Sequence, residues 1–164
     1  MALWRLYYHF VWSTKDRRDL ITPEIEPDLY GYIIGKAVAL GAIVHAIGGI
    51  PNHTHLVASV PPTLALAEFV KGVKGSSAHY VNHEPIGYAL TFGWQGGYGV
   101  FSLSRKQLDA TIAYVQNQKA HHAQGTLITA LELETNGEDR PDLWQEGAAI
   151  RCFPAPRRIE DDNE

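Results

Sequence analysis

The spacing of apolar positions along the chain alternates between the two-residue period of strands and the longer period of amphipathic helices. Short apolar and aromatic runs predict four strands, at residues 3–13, 42–47, 53–60 and 100–103. Longer stretches predict three helices, at residues 22–40, 61–81 and 104–124, and a last short helix at 126–134. Strands and helices are therefore interspersed in the order β-α-β-β-α-β-α.

Local signals mark several of these boundaries. Thr22-Pro23-Glu24 is typical of a helix start, and Gly48-Gly49 predicts the turn of a hairpin between the second and third strands. Ser104 followed by Gln107 is the pattern of a capping box. This order predicts an α+β fold, with a ferredoxin-like or RRM-like antiparallel sheet, helices packed on one face and a further C-terminal helix.

Composition limits the class of protein. The chain has 164 residues, 45% of them hydrophobic and 20% charged, which is typical of one globular domain. Its single cysteine, Cys152, excludes a disulfide framework and a cysteine-based zinc site within one chain. The sequence has neither a membrane-length apolar run nor the layout of a secretory signal at its start. We therefore expect a cytoplasmic protein with no membrane partner and no nucleotide cofactor.

The net charge of −4 argues at first sight against a nucleic-acid partner, but the charge is unevenly distributed. Residues 1–124 contain ten Lys/Arg and eight Asp/Glu, whereas residues 125–164 contain four and ten. The acidity therefore lies in the last quarter of the chain. We predict one domain over residues 1–144, followed by an acidic, poorly structured tail at 145–164.

The densest group of polar residues is Asn52-His53-Thr54-His55. Residues i and i+2 of a strand point to the same face, so His53 and His55 would present two imidazoles side by side. Imidazole is a good ligand for divalent metals, although two ligands do not complete a site. Taken alone, the pair is equally compatible with a structural role for both histidines.

The helix predicted from residue 104 has a polar flank that could supply a third ligand. Tyr114 and Gln118 are four residues apart and therefore lie one turn from each other. A tyrosine nucleophile beside an amide that can reach a metal would be a workable arrangement; alternatively, Tyr114 only packs. We interpret His121-His122, which follows on this helix, as a solvated helix end.

Two further groups could contact nucleic acid. Lys71 and Lys74 share one helix face with Ser77 and could bind phosphates, although exposed helical lysines are common. The segment Trp94-Gln95-Gly96-Gly97-Tyr98-Gly99 combines aromatic rings with a flexible backbone, which suits stacking on unpaired bases. A tight turn with a packed tryptophan explains that segment equally well.

Several motifs together resemble the single-tyrosine HUH transposases of the smallest bacterial insertion sequences, a family that includes the REP-associated tyrosine transposases. The resemblance covers most of the chain, from about Tyr8 to Trp144. The motifs, in chain order, are His9-Phe10-Val11-Trp12-Ser13-Thr14-Lys15, Gly49-Ile50-Pro51-Asn52-His53-Thr54-His55-Leu56-Val57, Lys71-Gly72-Val73-Lys74-Gly75-Ser76-Ser77, Trp94-Gln95-x-Gly97-Tyr98-Gly99-x-Phe101-Ser102-x-Ser104, Tyr114-Val115-x-Asn117-Gln118-x-x-His121-His122 and Leu143-Trp144.

The resemblance implies a role for each candidate residue. His53 and His55 would be the metal-binding pair, Gln118 the third ligand, and Tyr114 the nucleophile on the C-terminal helix. The ion would be Mg²⁺ or Mn²⁺. Attack by the tyrosine on single-stranded DNA would leave a 5′-phosphotyrosine and a free 3′-hydroxyl, so that rejoining needs no ATP. Two chains would form a homodimer, in which the tyrosine helix can serve the partner's site.

The expected partner is single-stranded DNA with a small hairpin, read largely through its shape and backbone. The residues expected to contact this DNA are Lys71, Lys74, Ser77, Arg5, Arg17 and Arg18. The middle position of the histidine motif, usually hydrophobic in the family, is Thr54 here. Strand alternation predicts that its side chain faces away from the metal.

Three other functions fit the same residues. The chain could be a domesticated relative that binds or nicks chromosomal hairpins without mobility. It could be a non-catalytic nucleic-acid-binding module with the same architecture. It could also be a metal-dependent hydrolase that uses water, in which case the cleavage products would carry no protein.

Overall fold

The computed structural model describes residues 3–83 and 91–132. Their strands form one antiparallel sheet in the order β2-β3-β1-β4. The strands are β1 (Tyr7–Ser13), β2 (Ile43–Ile50), β3 (His53–Ser59) and β4 (Gly99–Leu103). The first and third strands are central, which is the arrangement of a ferredoxin-like β-α-β-β-α-β unit. The predicted α+β fold is confirmed.

In the part of the chain that the structure describes, four helices pack around this sheet. They are α1 (Glu26–Ala39), α2 (Leu66–His83), α3 (Arg105–Gln116) and α4 (Gln118–Gln124). Helices α1 and α2 cover one face together, whereas α3 lies on the opposite face against β2 and β3. The described residues also include two 3₁₀ turns, Lys15–Arg17 between β1 and α1 and Thr129–Leu131 after α4. Within residues 3–83 and 91–132, no helix has both the length and the apolar character needed to cross a membrane.

The main core lies between the sheet and the α1/α2 pair. Phe10 and Leu56 come from the two central strands, and both are fully buried there. The ring of Phe10 packs 5.3 Å from that of Phe69 on α2, measured between centroids. Trp12 meets Trp94 edge to face, which joins the segment before β4 to this core. The apolar side of each strand therefore fixes α1 and α2 in place.

The turn predicted at Gly48-Gly49 is wrong, because both glycines lie within β2. The hairpin instead turns at Pro51-Asn52. A Cβ at Gly48 would overlap the backbone carbonyl of Val115, and one at Gly49 would overlap that of His53. These glycines serve close backbone approach, and the first of them lets the end of α3 lie directly on β2.

Helix boundaries also differ from the sequence prediction. Helix α1 begins at Glu26, four residues later than predicted, while the backbone carbonyl of Thr22 accepts hydrogen bonds from the next turn. The capping box of Ser104 and Gln107 is confirmed at the start of α3. The helix predicted to reach residue 124 divides at Asn117, which has φ −106°. This break separates α3 from α4, which begins at Gln118.

The last predicted helix, at residues 126–134, is a single 3₁₀ turn in its described part. Several other expectations fall outside the described residues: Leu143-Trp144, the domain end at residue 144, and the acidic tail at 145–164. They stay predictions.

Candidate metal and nucleophile site

The two β3 histidines lie on the sheet face that carries α3. Strand alternation places His53 and His55 together, opposite Ser13 and Val11 of β1, while Thr54 points to the other face. Both histidines are buried, and their ring centroids are 5.0 Å apart. The structure therefore brings the two imidazoles together, as their spacing predicts.

A hydrogen bond on the far side of each ring orients it. Nδ1 of His53 lies 2.8 Å from Oδ1 of Asn52, and Nδ1 of His55 lies 2.9 Å from Nε2 of His9. When these Nδ1 atoms donate, the Nε2 lone pair of each β3 histidine faces the site. Burial, followed by the influence of His55, lowers the pKa of His9 to about 3, so His9 is neutral and its Nε2 can accept this hydrogen bond.

The end of α3 and the start of α4 bring the tyrosine and the amide to these histidines. Tyr114 is buried, with its ring perpendicular to that of His55 at a centroid distance of 6.3 Å. Gln118, the first residue of α4, is 1% exposed. Val115 and Leu108 share an apolar cluster with Val57 of β3, which holds α3 on the sheet. Residues more than fifty positions apart therefore meet within a single chain.

Sequence reasoning missed Glu132, which follows the second 3₁₀ turn and enters this site. Its Oε1 accepts hydrogen bonds from the Tyr114 hydroxyl and, at 3.3 Å, from Nε2 of Gln118. Its Oε2 lies 3.3 Å from Nε2 of His53 and 3.4 Å from Nε2 of His55. The sequence offered no signal for it, since a single acid in an acidic segment has no distinctive spacing.

The interpretation of His121-His122 as a solvated helix end is wrong for His122. Its Nε2 lies 3.2 Å from Nε2 of His53 and 3.8 Å from Oε2 of Glu132. His121 instead stacks on Tyr114 with ring centroids 4.7 Å apart. Each histidine thus supports a different part of the site.

The charges around the site favour cation binding. Burial, then neighbouring histidines, lowers the pKa of His122. Burial also lowers the pKa of His55, against the opposing influence of Glu132. Burial would raise the pKa of the Glu132 carboxyl, but the nearby side chains of His53, His55 and Tyr114 together hold that pKa below its usual range. An ionised carboxylate therefore lies beside the imidazole nitrogens of this site.

Buried polar atoms without hydrogen bonds indicate which kind of ligand this site could bind. Nε2 of His55 and Oε1 of Gln118 are buried and make no hydrogen bond. Donor atoms of His53, His122 and Glu132 all lie within 4.8 Å of one another. Imidazole nitrogens with carboxylate and amide oxygens are ligands for a divalent cation such as Mn²⁺. The residues present therefore fit the metal that the sequence resemblance implies.

A cleft of about 440 Å³ lies between α2 and residues 94–98. Lys71 is exposed at its rim, whereas Nζ of Lys74 donates to the backbone carbonyls of Gln95 and Gly97 at 2.7 and 2.6 Å. Ser77 is buried, and its hydroxyl accepts a 3.0 Å hydrogen bond from the indole of Trp94. Lys74 and Ser77 therefore hold the wall of the cleft.

The predicted arginines are all exposed. Arg5 precedes β1, while Arg17 and Arg18 follow it. Asp16 and Arg17 both have positive φ, 56° and 53°, which is uncommon for non-glycine residues. The backbone N–H of Asp16 donates to Oε1 of Gln95 at 3.0 Å, so this loop is attached to the wall of the cleft.

Comparison with known proteins identifies the chain as a transposase. The chain belongs to the IS200-like transposase family, whose profile, described as "Transposase IS200 like", matches residues 2–118. The ISDra2 transposase TnpA of Deinococcus radiodurans is 28% identical over 120 residues, which cover 71% of this chain and 86% of that protein.

Two solved structures share the architecture. A crystal structure from Deinococcus radiodurans R1, assigned as a transposase, is 26% identical and superposes with a TM-score of 0.55 over 71% of this chain and 93% of its own. A REP-associated tyrosine transposase bound to a REP hairpin gives a TM-score of 0.56 at 15% identity, over 77% and 76% of the two chains. The second likeness is one of fold alone.

Proposed function

We propose that this chain cleaves and rejoins single-stranded DNA in a metal-dependent reaction, with Tyr114 as the nucleophile. The observation that carries the proposal is the convergence of Tyr114 and Gln118 on the paired imidazoles of His53 and His55. Membership of a transposase family supports strand transfer as the purpose of that arrangement.

The proposed metal ligands are Nε2 of His53, Nε2 of His55 and Oε1 of Gln118. Their support is the burial of all three side chains and the absence of hydrogen bonds to the last two atoms. A Mg²⁺ or Mn²⁺ ion bound there would neutralise charge on the scissile phosphate. His9 and Asn52 keep the two imidazoles oriented for this role.

Tyr114 must lose its proton to attack. Burial, and then its hydrogen bond to Glu132, raises the pKa of the phenol. The backbone N–H of Ile128 donates to the phenol oxygen at 3.1 Å, and this bond favours the phenolate. The phenol oxygen would form a bond to phosphorus while the bond from phosphorus to the 3′ oxygen breaks. The departing 3′ oxygen would take up one proton, balancing the one that the phenol loses, which leaves a 5′-phosphotyrosine and a 3′-hydroxyl. A second strand's 3′-hydroxyl would reverse this step.

We propose that the substrate is a strand that carries a hairpin. A structural relative bound to a REP hairpin supports this substrate class. The proposed contacts are phosphates on the exposed charges of Lys71, Arg5, Arg17 and Arg18, and unpaired bases in the cleft whose wall Lys74 and Ser77 hold. Within residues 1–124, the small excess of basic over acidic residues predicts modest non-specific affinity for DNA.

The homodimer implied by the resemblance is part of the proposal. Each chain would bring its own Tyr114 to its own histidines, since the phenol already contacts Glu132 beside His53 and His55. The dimer would then hold two DNA ends together for exchange.

The test is incubation of the protein with hairpin-bearing oligonucleotides and Mg²⁺ or Mn²⁺, read on a denaturing gel. We expect a protein–DNA adduct that disappears in Tyr114→Phe. The matched control is Tyr32→Phe, which removes a hydroxyl from a ring stacked on Tyr80 of α2 and should keep the adduct.

An adduct formed equally by Tyr114→Phe would show that the nucleophile is another residue. Cleavage without any attached protein would indicate a water-using hydrolase. Hairpin binding without cleavage would indicate a binding module.

A further inference from the structure

We infer that His122 and Glu132 are additional ligands of this chain's metal site. The inference rests on the metal site of the proposed function and adds two residues to it. Both residues lie beyond the segment 2–118 that matches the family profile, so family membership does not assign them a role. The segment that follows the tyrosine helix would thus complete the cation site from within the same chain.

The spacing of the donor atoms supports this inference. Ligand atoms bound about 2.1 Å from one octahedral ion lie roughly 3 Å from their neighbours. Oε2 of Glu132 is 3.3 Å from Nε2 of His53 and 3.4 Å from Nε2 of His55. Nε2 of His122 is 3.2 Å from Nε2 of His53. These separations fit ligands that face one shared ion.

The hydrogen-bond pattern also directs several lone pairs toward one point in the site. When Nδ1 of His53 donates to Asn52 and Nδ1 of His55 donates to His9, both Nε2 atoms present lone pairs. The carboxylate of Glu132 also presents lone pairs at the same point. Converging acceptors repel one another unless a cation lies among them.

Several contacts hold Glu132 in this position. Its second oxygen, Oε1, accepts hydrogen bonds from Tyr114 and Gln118. The backbone N–H of Ile128 donates to Tyr114, and Nδ1 of His121 lies 2.9 Å from the hydroxyl of Thr126. The returning segment is therefore attached to α3 and α4 at separate points, and one carboxylate links the metal ligands to the nucleophile.

In the opposite role, the Glu132 carboxylate would occupy the position of the metal ion and block its binding. The two roles predict opposite effects of neutralising it. A ligand that loses its charge binds Mn²⁺ more weakly, whereas a blocking group that loses its charge allows tighter binding.

The experiment measures Mn²⁺ affinity of the full-length protein by calorimetry and by electron paramagnetic resonance, without DNA. We expect Glu132→Gln and His122→Ala each to weaken binding by about 10–100-fold. Matched controls are Glu68→Gln and His83→Ala, exposed residues of α2 that lose the same groups away from the site. These controls should bind Mn²⁺ like the wild type.

Unchanged or tighter binding by Glu132→Gln would overturn its assignment as a ligand, and unchanged binding by His122→Ala would do the same for that residue. Thermal melts of the metal-free proteins identify a variant that fails to fold. If Glu132→Gln fails to fold, Glu132→Asp replaces it, because aspartate keeps a carboxylate. Glu132→Asp should then bind Mn²⁺ more tightly than Glu132→Ala. If the wild type binds Mn²⁺ but every variant matches it, only this inference fails. If the wild type binds none, the metal site of the proposed function fails as well.

Discussion

The two faces of the sheet differ in composition: one is apolar and the other is largely polar. The face under α1 and α2 is filled by large apolar side chains such as Phe10, Leu56 and Phe69. The face under α3 has a much smaller apolar cluster around Val57, and the rest of it is occupied by histidines and their partners. One strand, β3, contributes to both because its side chains alternate.

This difference teaches where stability and chemistry reside. Burial of apolar surface on the first face stabilises the fold. On the second face, His55 and Gln118 each leave a buried polar atom without a hydrogen bond, which is unfavourable in the absence of a ligand. The apolar core on the first face therefore stabilises the fold that holds the proposed site on the second face. Substitutions on the two faces should separate activity from stability.

The largest expected effect is on activity, from His53→Ala on the α3 face. Loss of this proposed metal ligand would remove several kcal/mol of transition-state stabilisation, so cleavage of a hairpin strand should fall by about 10³-fold. The melting temperature of the metal-free protein should change little, because His53 lies at the start of β3, outside the apolar clusters. Gel-based cleavage rates and thermal melts check both parts, and near-normal cleavage would remove His53 from the metal site.

The next effect is on stability, from Leu56→Ala on the opposite face. Leu56 is fully buried in the main core, and truncation of such a residue costs about 2–5 kcal/mol. Urea denaturation should show this loss as a lower midpoint. Mn²⁺ affinity, measured where the variant is still folded, should stay close to that of the wild type. A selective loss of Mn²⁺ binding with unchanged stability would contradict the division between the faces.

A smaller effect is expected at the junction of α3 with the sheet, from Gly48→Ala. The added Cβ would overlap the carbonyl of Val115, so either the helix or the strand must move, at a cost of about 1–3 kcal/mol. Cleavage should also fall, because Tyr114 precedes Val115 on that helix. Gly31→Ala in α1 is the control, since a Cβ there meets nothing within 4 Å.

That control should stabilise the protein by about 0.5–1 kcal/mol, because alanine favours a helix over glycine. Denaturant midpoints and cleavage rates of the two variants measure the difference. Equal effects at both glycines would mean that close contact at Gly48 does not explain the loss.

Several features could be read from the sequence because they depend on local spacing. Strand alternation placed His53 and His55 on one face, and the four-residue separation placed Tyr114 beside Gln118. The capping box at Ser104 is equally local. The paired glycines misled the hairpin prediction, since glycine serves a turn and a close backbone approach equally well.

The chain by itself determined the order of its elements and the α+β architecture. It also determined two polar pairs that face inward, His53 with His55 and Tyr114 with Gln118. The tertiary structure alone decided that these pairs meet on the α3 face, that His122 and Glu132 join them, and that Lys74 and Ser77 hold a cleft wall. The reason is physical. Periodicity specifies which side of a strand or helix is buried, whereas contacts between distant residues depend on how the elements pack. A break such as the one at Asn117 changes that packing with little signal in the sequence.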